Sequence, residues 1–489
     1  MAHEEITQEE ESLDPQDWEG MRDLGCQMVN DMLTYLETVR ERPLWQPIPE
    51  KVKEHFRQPL PHDPQLPEQV YKDFLENVLP HPLGNIHPRF WGWVIGTGTP
   101  MGMLAEMLAA GMNPNAGGFD HAATHVETQV LDWCKEMLGY PVQASGLLVS
   151  GGSMANLVGL TAARNSKADF DLRRHGLHAS PRVMTLYGSK ETHSSVQKAV
   201  ELLGLGSEAL RLVPVNEEFQ IDIPALEKAI SEDQAAGCQP FCIVGNAGTI
   251  NTGATDDLDS LAEICRRENM WFHVDGAFGA IAALSPKLKS QLSGMERADS
   301  LAFDLHKWMY IPYEAGCALV RDEDIHRKTF SLTPDYLAHA DRGIAGVPIW
   351  FSDYGIQLSR GFRALKVWMS IKEHGIKKYS RLIQQNVDQA QYLAGLVENS
   401  AELQLLAPVP LNIVCFRFAD GGHDDELNEL NKELLIQLYE SGIAAPSQTV
   451  INGKYALRVA ITNHRSRRED FQILLKEVIR LGKSLKEAG

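Results

Sequence analysis

The sequence holds no long uncharged apolar run, no internal repeat and no low-complexity stretch. The first absence means that no segment reaches the roughly 20 apolar residues needed to span a bilayer, so no membrane partner is expected. Cationic charge is also short. There are 46 Lys and Arg against 65 Asp and Glu, a formal charge of −19. Such a chain repels phosphate backbones, and nucleic acid is not expected as a partner. A nest of backbone amides can still hold a small phosphate inside an acidic protein. Cysteine is sparse: Cys26, Cys134, Cys238, Cys242, Cys265, Cys317 and Cys415 are odd in number and widely spaced. Several lie in apolar runs, so they read as buried thiols of a reducing compartment and not as a disulfide framework. Cys238 and Cys242 have no second pair at zinc-site spacing, and no metal is expected. The start, MAHEEITQEEE, is acidic with no apolar stretch behind it. It does not read as a secretory or transit signal, and a soluble cytoplasmic protein is the expectation.

Familiar nucleotide motifs are missing too. No Walker A lysine motif occurs. GLGSEA at 204–209 has dinucleotide-fingerprint spacing but follows a helical stretch instead of a strand. His121 and His125 are four apart, yet no HExxH glutamate lies between them.

What is present is an alternation. A helix is expected from near Asp14, with Pro15 in its first turn, and residues 43 to 88 are rich in Pro and charge. From about residue 100, helical patterns alternate with short apolar runs: GLLVS, RVMTLYG, ALRLVPV, FCIVGNA, MWFHVD, SLAFD and ALVRD. This predicts an α/β fold with a mostly parallel sheet covered by helices on both faces. After about 366 the pattern becomes that of a small α+β domain, with a hairpin at Asn452-Gly453 and a closing helix from Ser466. The division expected is a helical segment over 1–85, a large α/β domain over 86–366 and a small domain over 367–489.

Three segments carry chemistry. In SGLLVSGGSMAN, a strand runs into Gly151-Gly152-Ser153 and a helix from about Met154. Bare amides and the helix dipole there suit an anion, with Ser153 as cap; a plain capped turn explains the pattern equally well. In MWFHVDGAFGA, Asp275 ends an apolar strand, where α/β proteins place ligands. It is read either as a helix cap or as the partner of a cationic group such as a protonated pyridine nitrogen. In ADSLAFDLHKWMYIP, Lys307 follows a third strand. An apolar setting is expected to lower its pKa and ready the amine to attack a carbonyl.

The set SGGSMAN, ETHSSVQKA, HVDGAFGA and DLHKW, in this order and with 32 residues from Asp275 to Lys307, resembles the group II pyridoxal-phosphate decarboxylases. The resemblance runs from about Asp14 to the last helix. It implies a fold type I architecture, a pyridoxal 5'-phosphate cofactor and a homodimer. It implies that Lys307 forms the Schiff base, that Asp275 pairs with the pyridine nitrogen, and that His193 stacks on one ring face with Ala277 on the other. Gly152, Ser153, Met154 and His306 would surround the phosphate, with Thr249 nearby. Met154 and Asp304 depart from residues common in the family, Glu and Asn respectively, and an ionised Asp304 would repel a phosphate unless hydrogen-bonded or turned away.

Between Thr329 and Pro348 a mobile loop is expected, and the resemblance makes its Tyr336, together with His193, the donor of a proton to the substrate α-carbon; without the resemblance, Tyr336 reads as a packed loop aromatic. Arg363 near the loop base is read equally as a site residue or an ion-pair partner. Arg458 is read as structural. Trp93, Val94 and Gly96, with Phe119 reaching across from a second subunit, are expected to line an apolar substrate pocket, although tryptophans here could also be core. The function implied is decarboxylation of an L-amino acid, aromatic or apolar, to the amine and carbon dioxide. Transamination, aldehyde formation and a non-catalytic binding role are the alternatives.

Overall fold

The computed structural model describes residues 11–332, 340, 342–347 and 349–488. They form two units, Met1–Leu83 and Gly84–Gly489. In the first, the longest helix is Trp18–Glu37. It starts later than the sequence suggested. The Asp17 carboxylate, not the Asp14-Pro15 pair, accepts the Glu19 and Gly20 amides at 3.1 and 3.0 Å and so caps it. Its Trp18, Met21, Met28 and Leu33 are exposed and form an apolar stripe on the helix.

The second unit contains two sheets. Strand β1 (Phe90–Trp91) opens it, followed by β2 (Ser145–Val149), β3 (Met184–Ser189), β4 (Leu210–Val213), β5 (Gln239–Asn246), β6 (Trp271–Asp275), β7 (Ser300–Asp304) and β8 (Gly316–Val320). The order β2-β8-β7-β6-β5-β3-β4 makes a seven-stranded sheet. All its pairs are parallel except those of β8, which runs antiparallel to β2 and β7. Every residue of β2, β3, β6, β7 and β8 is buried, which is why these strands read as continuous apolar runs.

The C-terminal part adds β9 (Leu403–Leu405), β10 (Ile413–Phe418), β11 (Ala445–Ile451) and β12 (Lys454–Ala460). Asn452 and Gly453 both take positive φ, 49° and 79°, as the tight hairpin between β11 and β12 requires. The sheet order is β1-β11-β12-β10-β9. Phe90–Trp91, assigned by sequence to the large domain, therefore pairs with the small sheet, parallel to β11. Two residues are too few to show a period, and only the pairing reveals the strand. Trp91 also stacks on Phe471 at 4.9 Å and donates to Ser466 Oγ at 3.0 Å.

A buried ion pair ties β2 to its surroundings. The Arg360 guanidinium meets both oxygens of Glu127, at 2.5 and 3.1 Å, and donates to the carbonyls of Ala116 and Leu148. Glu127 in turn accepts the Leu148 amide. Both side chains are essentially inaccessible. Glu127→Ala leaves a buried guanidinium uncompensated. It is expected to cost about 3–5 kcal/mol, seen as a lower urea midpoint.

Candidate active site

The C-terminal ends of β2, β5, β6 and β7 lie along one edge of the large sheet, because register pairs Asn246 with Asp275 and Asp304 with Gly316, which faces Val149. That edge is where an open α/β sheet leaves a crevice. The sequence puts a chemical group at each of these ends.

Beyond β2, the helix Gly152–Lys167 begins one to two residues earlier than expected, with Gly151 as N-cap. Ser153 does not cap it. Its side chain lies within the first turn, exposed. The first backbone bonds to Gly151 O come from Met154 and Ala155, so the Gly152 and Ser153 amides precede the helical ladder. A Cβ on Gly152 would sit 2.9 Å from Asp304 Oδ2 and 3.2 Å from Ala277 Cβ. Only glycine lets the turn approach β6 and β7 this closely. Met154 packs partly against the core.

At the end of β6, Asp275 is 5% exposed. Its Oδ1 accepts the Ala277 amide at 3.1 Å and its Oδ2 accepts Asn156 Nδ2 at 2.9 Å. His193 caps the helix Ser194–Leu202, its Nδ1 accepting the Ser195 amide at 3.2 Å. Burial pulls its pKa down and outweighs the upward pull of Asp275, so the ring is neutral near pH 7.

Lys307 follows β7 between two buried neighbours. Trp308 donates to Asn386 Oδ1 at 3.0 Å, and His306 lies 4.4 Å, ring to ring, from Tyr313. Burial lowers the pKa of His306 as well. Lys307 departs from the sequence expectation. Burial does pull its pKa down, but the Asp304 carboxylate at 2.7 Å, with Asp275 beyond, outweighs burial and holds it above the ordinary lysine value. The apolar flanks hid a counter-ion three residues away. Asp304 is 1% exposed, and its Oδ1 has no hydrogen-bond partner among the described residues. The ion pair with Lys307 offsets the charge conflict that Asp304 poses for a nearby anion.

An amine attacks a carbonyl only when neutral. If Lys307 is the residue that takes the cofactor, as the sequence resemblance implies, covalent loading of cofactor-free protein is expected to accelerate as pH rises. In Asp304→Asn the attraction is gone, and the rise is expected to begin at lower pH. Stopped-flow absorbance after adding pyridoxal phosphate checks this.

The remaining expected site residues are placed as follows. The segment carrying Gly96 crosses the Lys307 turn, since a Cβ there would fall 1.7 Å from His306 O and 3.0 Å from Lys307 O. Trp93 is exposed and Val94 buried in the core. Phe119 packs edge-on against Trp350 at 4.8 Å. Trp93 and Phe119 both hold positive φ, 53° and 75°, a strained backbone that concentrates at functional sites. Thr249 is buried, its hydroxyl 3.2 Å from that of Thr252. Arg363 pairs with Glu314 at 2.8 Å. Arg458 donates to the carbonyls of Asn251 and Trp93 and to Ser447 Oγ, a structural role. Tyr336 lies outside the described residues. The sequence reading missed Asn156, Ser195 and His273. One signal was available: His273 and Asp275 are two apart on one strand and so share a face.

The donor set suits pyridoxal phosphate. Gly152 and Ser153 have amides that could receive a phosphate, Asp275 is a buried carboxylate that could pair with a cationic ring nitrogen, and the Lys307 amine is held against Asp304 at the next strand end.

Comparisons with known proteins agree. The pyridoxal-dependent decarboxylase conserved domain matches residues 49–419. An aromatic-L-amino-acid decarboxylase of Bacillus atrophaeus is 35% identical, covering 94% of this chain and 95% of that protein. Tryptophan decarboxylase 2 of Oryza sativa subsp. japonica is 30% identical over 92% of both. The crystal structure of Oryza sativa TDC with PLP and tryptamine superposes with a TM-score of 0.90 at 25% identity, covering 97% of this chain and all of that one. With a lysine, a carboxylate and an amide-lined turn gathered at one sheet edge, the chain belongs to the pyridoxal-phosphate-dependent decarboxylases.

Proposed function

We propose that this enzyme converts an aromatic or similarly apolar L-amino acid to its amine and carbon dioxide, acting as a cytoplasmic homodimer. The observation that carries the reading is the joint placement of Lys307, Asp304 and Asp275 at the ends of adjacent parallel strands. Pyridoxal phosphate, when bound, supplies a ring that accepts the electrons left at Cα as carbon dioxide departs. Gly152 and Ser153 hold the phosphate, with His306, Met154 and Thr249 around it. Asp275 keeps the proton on the ring nitrogen. His193 and Ala277 would flank the ring, and the Lys307 amine would be its covalent attachment point. Tyr336 delivers the proton to Cα.

The substrate class is supported by the aromatic residues Trp93 and Phe119 and by the relatives named above for aromatic and tryptophan decarboxylation. The dimer is supported by exposed apolar residues on two helices, Met21, Met28 and Leu33 on one and Met107, Leu108 and Met112 on the other. Seven free cysteines fit a reducing compartment. Among the described residues, no helix is long and apolar enough to cross a membrane.

The test is a panel of aromatic, acidic and basic L-amino acids assayed for carbon dioxide, amine, aldehyde and keto acid together. Equal amounts of carbon dioxide and amine from aromatic substrates are expected. Keto acid without carbon dioxide overturns the reading. In Tyr336→Phe, amine formation is expected to fall roughly 10²-fold with a larger aldehyde share, measured on the same panel.

A further inference from the structure

Behind the site runs a chain of buried hydrogen bonds whose direction can be assigned at every link. Trp271, Ser300, His273, Asn156, Ser195 and Asp275 are each at most 5% exposed. The Asp275 carboxylate only accepts, so the Asn156 atom 2.9 Å from its Oδ2 is the amide nitrogen. The same nitrogen donates its second proton to Ser195 Oγ, also at 2.9 Å. Asn156 Oδ1 therefore faces His273 Nε2 at 2.9 Å, and that nitrogen carries the proton. His273 Nδ1 must then accept from Ser300 Oγ at 2.7 Å, and Ser300 accepts the Trp271 indole N–H at 2.8 Å. Burial depresses the His273 pKa to about 4, consistent with a neutral ring. On the other branch, His193 Nδ1 already accepts the Ser195 amide, so the Ser195 hydroxyl at 2.8 Å donates to it as well. That leaves the His193 proton on Nε2. The helix closes over this network at Gly159, where a Cβ would come within 2.7 Å of the His273 ring and 2.9 Å of Ser300 Oγ.

We propose that Asn156, locked by His273 and Ser300, is the positioning residue that joins the two cofactor-facing groups: one N–H orients Asp275, and the other aims the Ser195 hydroxyl at His193 Nδ1, a second donor that holds the ring in the tautomer its helix cap already selects. The inference rests on the proposed roles of Asp275 and His193. It adds that those roles are imposed from a single amide, and that the two branches can be separated. Breaking the chain at Asn156 or His273 disturbs both groups. Breaking it at Ser195 disturbs His193 alone.

The experiment uses the full-length holoenzyme and five variants: Asn156→Ala, His273→Phe, His273→Gln, Ser195→Ala and Asp275→Asn. For each, the equilibrium dissociation constant of pyridoxal phosphate, the pH midpoint of its visible absorbance band, the kcat pH profile and the melting temperature are measured. Asn156→Ala and His273→Phe are expected to weaken cofactor binding about tenfold or more and to move the absorbance midpoint, the scale on which supporting residues act at cofactor and metal sites. His273→Gln keeps a donor toward Asn156 and is expected to stay within about threefold of wild type. Ser195→Ala is expected to shift the kcat profile while leaving cofactor affinity and absorbance midpoint unchanged. If Asp275→Asn moves the affinity and midpoint while Asn156→Ala and His273→Phe, still folded by melting temperature, do not, the relay is wrong and the cofactor reading stands. If Asp275→Asn itself moves neither, the cofactor reading fails with it. Should Asn156→Ala not fold, the contrast between His273→Phe and His273→Gln decides, and equal behaviour of those two overturns the proposal.

Discussion

Lys307→Ala is expected to reduce decarboxylation by roughly 10³-fold or more and to remove the visible band of the bound cofactor. The size follows from what the residue provides. In the proposed role the amine is the nucleophile at this edge, paired with Asp304 at 2.7 Å and flanked in sequence by the buried residues His306 and Trp308. The substitution also strips Asp304 of the cation that neutralises it, 2.7 Å away in a site where the carboxylate is 1% exposed. An uncompensated buried carboxylate opposes a phosphorylated ligand, so weaker cofactor affinity is expected in addition. The double variant Lys307→Ala/Asp304→Asn is therefore expected to bind pyridoxal phosphate more tightly than Lys307→Ala while remaining inactive. Equilibrium dialysis and product assay together separate the two effects.

Asp275→Asn is expected to lower kcat by roughly 10²- to 10³-fold with a smaller change in cofactor affinity. An amide matches the carboxylate in shape, and its one oxygen can keep the bond from Asn156, while its NH2 group then faces the Ala277 amide and that bond is lost. Also lost is the negative charge. A protonated ring nitrogen withdraws electrons far better than a neutral one, and only an anion stabilises that proton in a buried setting. The absorbance of the bound cofactor, with kcat and KM on the best substrate, reports this. A loss confined to KM would place Asp275 in substrate binding instead.

Much of this was readable beforehand because the large sheet is buried on both faces and its strands are short apolar runs that end in a chemical residue. Gly151-Gly152, Asp275 and Lys307 each stand just past such a run, and the parallel topology brings those ends to one edge. Other features depended on contacts the chain does not announce. Asn156 is an ordinary-looking residue within a helix, His273 an ordinary polar residue within an apolar strand, and their joint role exists only once the helix packs on β6. The pairing of Asp304 with Lys307 reversed the expected direction of the lysine pKa, since apolar neighbours in sequence said nothing of the carboxylate beside it in space. Ser153 looked like a cap because serine commonly is one. The helix begins two residues earlier, with Gly151 as its cap and Gly152 set close against Asp304 and Ala277. Phe90–Trp91 joined the small sheet through a pairing partner more than 350 residues away.

The central claim is a covalent bond between the cofactor and Lys307 Nζ. The direct measurement is borohydride reduction of the enzyme incubated with pyridoxal phosphate, followed by proteolysis and mass spectrometry. The account predicts stoichiometric loss of the visible band and the reduced pyridoxyl adduct on the peptide carrying Lys307 alone. A colourless protein with that lysine unmodified, or an adduct on a different lysine, contradicts it.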